Sequence, residues 1–165
     1  MTNLILHASD VGQWYTLVHE AQSLSNHCLP ENTESYLVFL LMRSSHNPTW
    51  TEGVIGVEFL DALHSVGRAL QVARLKEVGD KSLLFCGLFP VKAEKKVSLR
   101  YFQEIGKTAY LAASRRDEES QSDLLSDLGQ NFLILQDILQ ATRHVRALPK
   151  INDMWVSDNS PHQSS

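Results

Sequence analysis

GDKSLLFCGLFP, residues 79–90, is the segment from which the architecture of the chain can be predicted. Its second half, Leu83 to Phe89, is apolar on every side, so a helix formed by it has no polar face to turn toward water. Pro90 ends the helix, because proline lacks a backbone N–H and clashes inside a helix. The segment therefore predicts the end of a long helix at the centre of a hydrophobic core.

Six helical segments are predicted along the chain, because apolar residues recur at the three- and four-residue spacing that places them on one helix face. They are residues 10–25, 31–44, 51–65, 67–88, 98–114 and 122–147. The charged segment 91–98 is predicted to be an exposed connector. The sequence thus predicts an all-α, single-domain bundle of about six helices over residues 1–148, followed by a flexible C-terminal tail at residues 149–165.

The composition excludes several classes of protein. The chain has 165 residues, of which 43% are hydrophobic and 21% charged, unlike a disordered, collagen-like or disulfide-rich chain. The longest wholly apolar run, residues 36–42, is far shorter than the roughly 20 residues that cross a bilayer. The first ten residues contain no Lys or Arg, so no signal peptide is predicted. We therefore expect a cytoplasmic protein without a membrane partner.

Charge is unevenly distributed along the chain. The net charge of −4 argues against general nucleic-acid binding. Residues 66–116 nevertheless contain eleven basic and four acidic residues, and a basic face formed by them would suit an acidic partner protein. Alternatively, folding against the acidic segments on either side neutralises these bases. Aromatic residues are sparse among them, with Tyr101 and Phe102 beside Arg100, so an RNA partner is the weaker interpretation.

The four charged residues just before the apolar segment are the main candidate for a polar cluster or ligand site: Arg74, Glu77, Asp80 and Lys81. On a helix surface, Glu77 would pair with Lys81 and Arg74 with Glu77, because residues three and four apart are neighbours. Glu77 and Asp80 also fall on a stripe with apolar residues, which predicts that they are partly buried. The alternatives are a buried structural network, a solvated face and a ligand site.

A second candidate, a metal site, consists of Glu58, Asp61 and His64, spaced three residues apart on one predicted helix. Helical di-metal sites need two carboxylate-x-x-His pairs together with further carboxylates. The sequence supplies one such pair, beginning at Asp61, so we discount the metal site in favour of a polar stripe facing solvent. No bound metal or other cofactor is predicted.

The last predicted helix has more apolar surface than one packed face requires. Ile134 and Ile138 lie beside its main seam of leucines and are predicted to contact a second copy of the chain in a homodimer. The alternative is that this helix is central within one chain, which would use its entire apolar surface in the core.

Two segments carry a resemblance to known proteins: Leu29-Pro30-Glu31, and the longer segment from Glu77 to Pro90. They resemble a small bacterial family of all-helical cytoplasmic proteins with no assigned activity, and the likeness spans residues 29–145. The resemblance implies a bacterial cytoplasmic location and supplies no catalytic residues.

No complete catalytic constellation is present: the sequence lacks a nucleophile elbow, a phosphate loop and a dinucleotide-binding motif. The function predicted from the sequence is therefore that of a non-enzymatic helical interaction or regulatory protein. The alternative is a helical bundle that binds a small ligand or a metal, and an oxidoreductase is one such protein. An RNA-associated factor is the third and weakest.

Overall fold

The computed structural model describes residues 11–47 and 52–145, and these two ranges form helices joined by short turns. The helices are α1 (Val11–Ser25), α2 (Glu31–His46), α3 (Ile55–Leu63), α4 (Arg68–Leu88), α5 (Pro90–Lys96), α6 (Leu99–Arg116), α7 (Ser122–Gln130) and α8 (Phe132–Ala141), followed by a 3-10 turn at Thr142–His144. No strand occurs in these ranges, which confirms the all-α class. None of the described helices has both the length and the apolar character to cross a bilayer.

The structure contains more helices than the six predicted, for local reasons. Residues 91–98, predicted as a connector, largely form α5, because Pro90 suits the first turn of a helix and Ala93 is buried. The helix predicted at 122–147 is divided at Asn131, which lies between α7 and α8. The tail predicted at residues 149–165 lies outside the described residues.

A glycine turn separates α3 from α4. Gly67 has a φ of +93°, in the left-handed region that glycine adopts without a side-chain clash. A helix requires negative φ values, so α3 ends before this residue and α4 begins at Arg68. The change of direction allows α3 to pack against the side of α4.

The central helix is α4, which packs against α3, α6 and α8. Every residue from Leu83 to Phe89 is buried, so the prediction that this segment lies at the centre of the core is confirmed. Phe85 stacks on Phe102 of α6 with 5.2 Å between the ring centroids. Burial of such large apolar side chains is the main favourable contribution to folding.

Gly106 of α6 allows a close approach between three helices. A Cβ atom added at Gly106 would lie 2.4 Å from a ring carbon of Phe132 and 2.8 Å from the Cβ of Ser82. Both distances are shorter than van der Waals contact, so any side chain at this position would force α4, α6 and α8 apart. Because Gly106 has no side chain, the ring of Phe132 can occupy the space beside it.

The C-terminal helix belongs to the core of the single chain. Ile138 is fully buried and Ile134 is half-buried, whereas their neighbour Leu133 is 48% exposed. Because α8 packs against both α1 and α4, Ile138 is removed from the accessible surface. This contradicts the placement of Ile138 at a dimer contact and agrees with the alternative that the helix is central.

Candidate functional site

A buried carboxylate lies where α2, α4 and α6 face one another. Asp80, one turn before the apolar end of α4, is only 7% exposed. Its Oδ1 accepts a hydrogen bond of 2.5 Å from the hydroxyl of Tyr36 on α2 and one of 2.6 Å from the hydroxyl of Tyr110 on α6. A buried polar group is costly unless its hydrogen bonds are made, and these two donors satisfy one of the two oxygens.

The second oxygen of Asp80 is less fully engaged. The nearest charged group to Oδ2 is the Nη2 of Arg43, at 3.6 Å, which makes an ion pair but exceeds hydrogen-bonding distance. Among the described residues, Oδ2 accepts no hydrogen bond. Lys76 lies over the ring of Tyr36, with its ammonium 5.4 Å from the ring centroid. The second oxygen therefore has capacity for a donor from outside the cluster.

Burial dominates the electrostatics of this cluster. It raises the pKa of Asp80 above the ordinary value, although the hydrogen bonds from Tyr110 and Tyr36 and the charges of Arg43 and Lys76 act in the opposite direction. Burial, followed by the charge of Asp80, raises the pKa of both tyrosines well above 10. Both hydroxyls consequently stay protonated at neutral pH and act as fixed donors to Oδ1.

Two adjacent cavities open beside this cluster, with volumes of about 390 and 370 Å³. Arg43, Glu77 and Asp80 line both cavities, so we treat them as two sections of one groove along α4 and call it the α2–α4 groove. The first section continues along α4 to Arg68 and is closed by the turn at residues 116–121. The second section lies against the end of α2 and includes the Lys81–Glu58 pair.

The structure brings together only part of the predicted polar cluster. Glu77 and Asp80 both line the groove, and Glu77 is exposed without an ion-pair or hydrogen-bond partner among the described residues. The predicted pairs along α4 do not form. Lys81 Nζ lies 2.8 Å from Glu58 Oε2 on α3, and Arg74 donates a 3.1 Å hydrogen bond to Ser65 Oγ. Both cations therefore contact neighbouring segments of the fold instead of Glu77.

The residues of the discounted metal site do not converge. Glu58 is the partner of Lys81, Asp61 is exposed, and Nδ1 of His64 lies 2.8 Å from the carbonyl oxygen of Leu60. Within the described ranges, no group of three or more His, Cys, Asp or Glu side chains is arranged to hold a metal ion.

Burial raises the pKa of the Cys86 thiol to about 12, so this cysteine is not a thiolate nucleophile at neutral pH.

Sequence reasoning missed three residues of the site: Tyr36, Arg43 and Tyr110. Tyr36 begins the apolar run at residues 36–42, and Tyr110 was not singled out within the helix predicted at residues 98–114. One signal was available, because a buried tyrosine hydroxyl usually finds a hydrogen-bond partner and Asp80 was predicted to be partly buried. The sequence does not say which of the four tyrosines supplies that bond.

Comparison of the chain with models of known families, with curated proteins and with solved structures gives no match. The bacterial family inferred from residues 29–31 and 77–90 therefore stays a prediction. Functional inference for this chain rests on the geometry of the Asp80 cluster and the α2–α4 groove.

Proposed function

We propose that this protein is a non-enzymatic binding protein that holds a small polar molecule in the α2–α4 groove. The observation that carries the proposal is the buried Asp80, held by two tyrosine hydroxyls with its Oδ2 still able to accept a hydrogen bond. A buried ionisable group with a shifted pKa in a cleft is a physical indicator of a functional site. A regulatory role for the bound molecule fits the prediction made from the sequence.

The dimensions and the lining of the groove suit a small molecule. Ligand pockets commonly measure about 300–1,000 Å³ and combine apolar walls with a few placed polar groups. In the first section, Ala69, Val72 and Ala73 supply apolar surface along α4, and charged side chains surround them. The salt bridge of 2.9 Å between Arg68 and Glu118 joins the two sides of this section.

The groove favours recognition over catalysis. Two hydroxyl groups at or beside the groove are engaged: Tyr36, which lies beside it, donates to Asp80, and Ser44 Oγ donates a 3.0 Å hydrogen bond to the carbonyl oxygen of Leu41. The high pKa of Tyr36 also removes it as a general base near pH 7. The remaining charged groups offer fixed hydrogen-bond donors and acceptors, which give a bound molecule orientation and specificity.

The proposal is tested by filling the groove. We expect some members of a panel of small amines, guanidines, carboxylates and sugars to shift backbone amide NMR signals of groove residues. Ala73→Trp should abolish those shifts, because the indole ring occupies the first section. Thr108→Trp, an exposed position on α6 outside the groove, is the matched control and should preserve them. Absence of any groove shifts, or their persistence in Ala73→Trp, contradicts the proposal.

A homodimer is a second, separate proposal. The observation that favours a protein contact is the outer face of α3, where Val57 and Leu60 are 54% and 55% exposed. If the partner is a second copy, sedimentation should give about twice the chain mass of 18.6 kDa. Leu60→Glu should then restore the single-chain mass, whereas a single-chain mass for the unmodified protein excludes the homodimer.

A further inference from the structure

We propose that the ligand of the α2–α4 groove is a small organic cation, a guanidinium or primary ammonium group, whose N–H donates to Oδ2 of Asp80. This inference rests on the proposed function, because it names the class of molecule bound at the same site. The proposal also assigns a role to Arg43: when the groove is empty, its guanidinium lies where the ligand cation would otherwise lie, beside Oδ2 of Asp80.

The geometry of Asp80 points to a donor that approaches from the groove. Oδ1 already accepts bonds from Tyr36 and Tyr110, whereas Oδ2 accepts none from the described residues. The side chain is nine-tenths buried, and yet it lines both sections of the groove. An incoming N–H group therefore meets a carboxylate oxygen that is fixed in position and largely shielded from water, where a charge-assisted hydrogen bond is strong.

Arg43 occupies this position only loosely. Its Nη2 is 3.6 Å from Oδ2, and its side chain is 58% exposed. At this distance the guanidinium makes no hydrogen bond to Oδ2, so the pair is weaker than a direct charge-assisted bond, and holding the long, exposed side chain in place costs rotamer freedom. Its Nε donates a 3.4 Å bond to the carbonyl oxygen of Phe39 on the preceding turn of α2. A ligand cation can therefore displace the guanidinium without disrupting the core.

The other charged groups of the groove favour a cation over an anion. Three of its cations are already engaged: Arg68 with Glu118, Lys76 over the ring of Tyr36, and Arg116 with the carbonyl oxygen of Ala112. Glu77, one helical turn before Asp80, has no partner among the described residues. The acceptors with spare capacity beside Oδ2 are thus anionic, and a second N–H of a guanidinium ligand has Glu77 as its partner.

The test uses four small probes that each carry a short alkyl chain: butylguanidinium, butylammonium, neutral butylurea and anionic butyrate. Binding to the full chain is measured by NMR titration, with the groove amides as the reporter. We expect the two cations to bind and the other two probes to produce no saturable shifts. Asp80→Asn should weaken cation binding about ten- to a hundredfold, because it removes one charge-assisted bond while keeping the acceptor for the tyrosines.

The position of Arg43 provides the decisive variant. Arg43→Met removes the internal competitor and should tighten butylguanidinium binding by about three- to tenfold. Arg115→Met is the matched control: it removes an exposed arginine outside the groove and should change the affinity far less. If the two substitutions change the affinity for butylguanidinium equally, the change comes from net charge alone, and the inference is overturned.

The remaining outcomes separate this inference from the function on which it rests. Butyrate or butylurea binding in the groove as tightly as butylguanidinium overturns the choice of a cation and leaves a small-molecule groove intact. Cation binding that is unchanged in Asp80→Asn overturns the role of Oδ2. If no probe shifts the groove amides, and the broader panel also fails, the inference and the proposed function fall together.

Discussion

Replacing Phe132 with alanine should lower the free energy of unfolding by about 3–5 kcal/mol. The ring is fully buried and lies against Tyr110, with 6.3 Å between the ring centroids. It also fills the space opposite Gly106, which has no side chain that could move into the cavity. The loss therefore combines the transfer free energy of the ring with the cost of an unfilled cavity. Urea denaturation followed by circular dichroism measures it.

The adjacent residue provides the control for this prediction. Leu133 also lies on α8 but is 48% exposed, so Leu133→Ala should change the free energy of unfolding by less than about 1 kcal/mol. Similar losses at the two positions would mean that α8 does not turn the face carrying Phe132 toward α4 and α6.

The second large effect concerns Asp80. Asp80→Ala should lower the free energy of unfolding by about 2–4 kcal/mol, because the hydroxyls of Tyr36 and Tyr110 lose their acceptor inside the protein. Asp80→Asn keeps an acceptor oxygen of nearly the same shape and removes the buried charge. Its stability should therefore lie within about 1 kcal/mol of the unmodified chain, or above it. A loss with asparagine equal to that with alanine contradicts this account.

The difference in free energy of unfolding between the unmodified chain and Asp80→Asn should also depend on pH, with a sign that follows from the raised pKa of Asp80. Burial places the pKa of Asp80 in the folded chain above its unfolded value of about 4. The contribution of this group to stability is fully present below the unfolded pKa and is lost as pH rises through the folded pKa. The stability of the unmodified chain relative to Asp80→Asn should therefore decrease as pH is raised from about 4. An increase over that range would show that the pKa is lowered on folding.

The presence of a charged residue at this position is consistent with a binding role. A charge that folding disfavours does not stabilise the core better than asparagine would. Binding of a cation to Oδ2 would favour the ionised carboxylate and offset part of its burial cost. Stability and ligand affinity are therefore expected to respond in opposite directions to Asp80→Asn.

Most helices of the fold could be predicted from local pattern alone. The predicted segments at 31–44, 67–88 and 98–114 correspond to α2, α4 and α6 within two residues at each end. Apolar periodicity and the position of Pro90 depend only on nearby residues, so the sequence carries this information directly. The same rules failed at α5, where the charged residues were interpreted as a connector. The segment is largely exposed, as predicted, but it forms a helix whose Ala93 is buried.

The site was predictable only in part. Partial burial of Glu77 and Asp80 was predicted from their place on a stripe with apolar residues, and the structure agrees for Asp80, whereas Glu77 is exposed. The partners of Arg74 and Lys81 were wrong, because their charges could be satisfied either along α4 or by other segments of the chain. Sequence spacing indicates which residues are neighbours along α4, but it does not indicate which residues of other segments lie beside them.

The sequence by itself determined that the chain is helical and that Leu83 to Phe89 lies at the centre of the core, because these properties follow from local periodicity and hydrophobicity. The tertiary structure alone decided that Tyr36 and Tyr110 meet at Asp80, that Arg43 lies beside it, and that Ile138 faces inward. Each of these facts joins residues on different helices. Such contacts depend on how the helices cross and rotate against one another, which side-chain packing fixes only when the whole core has assembled.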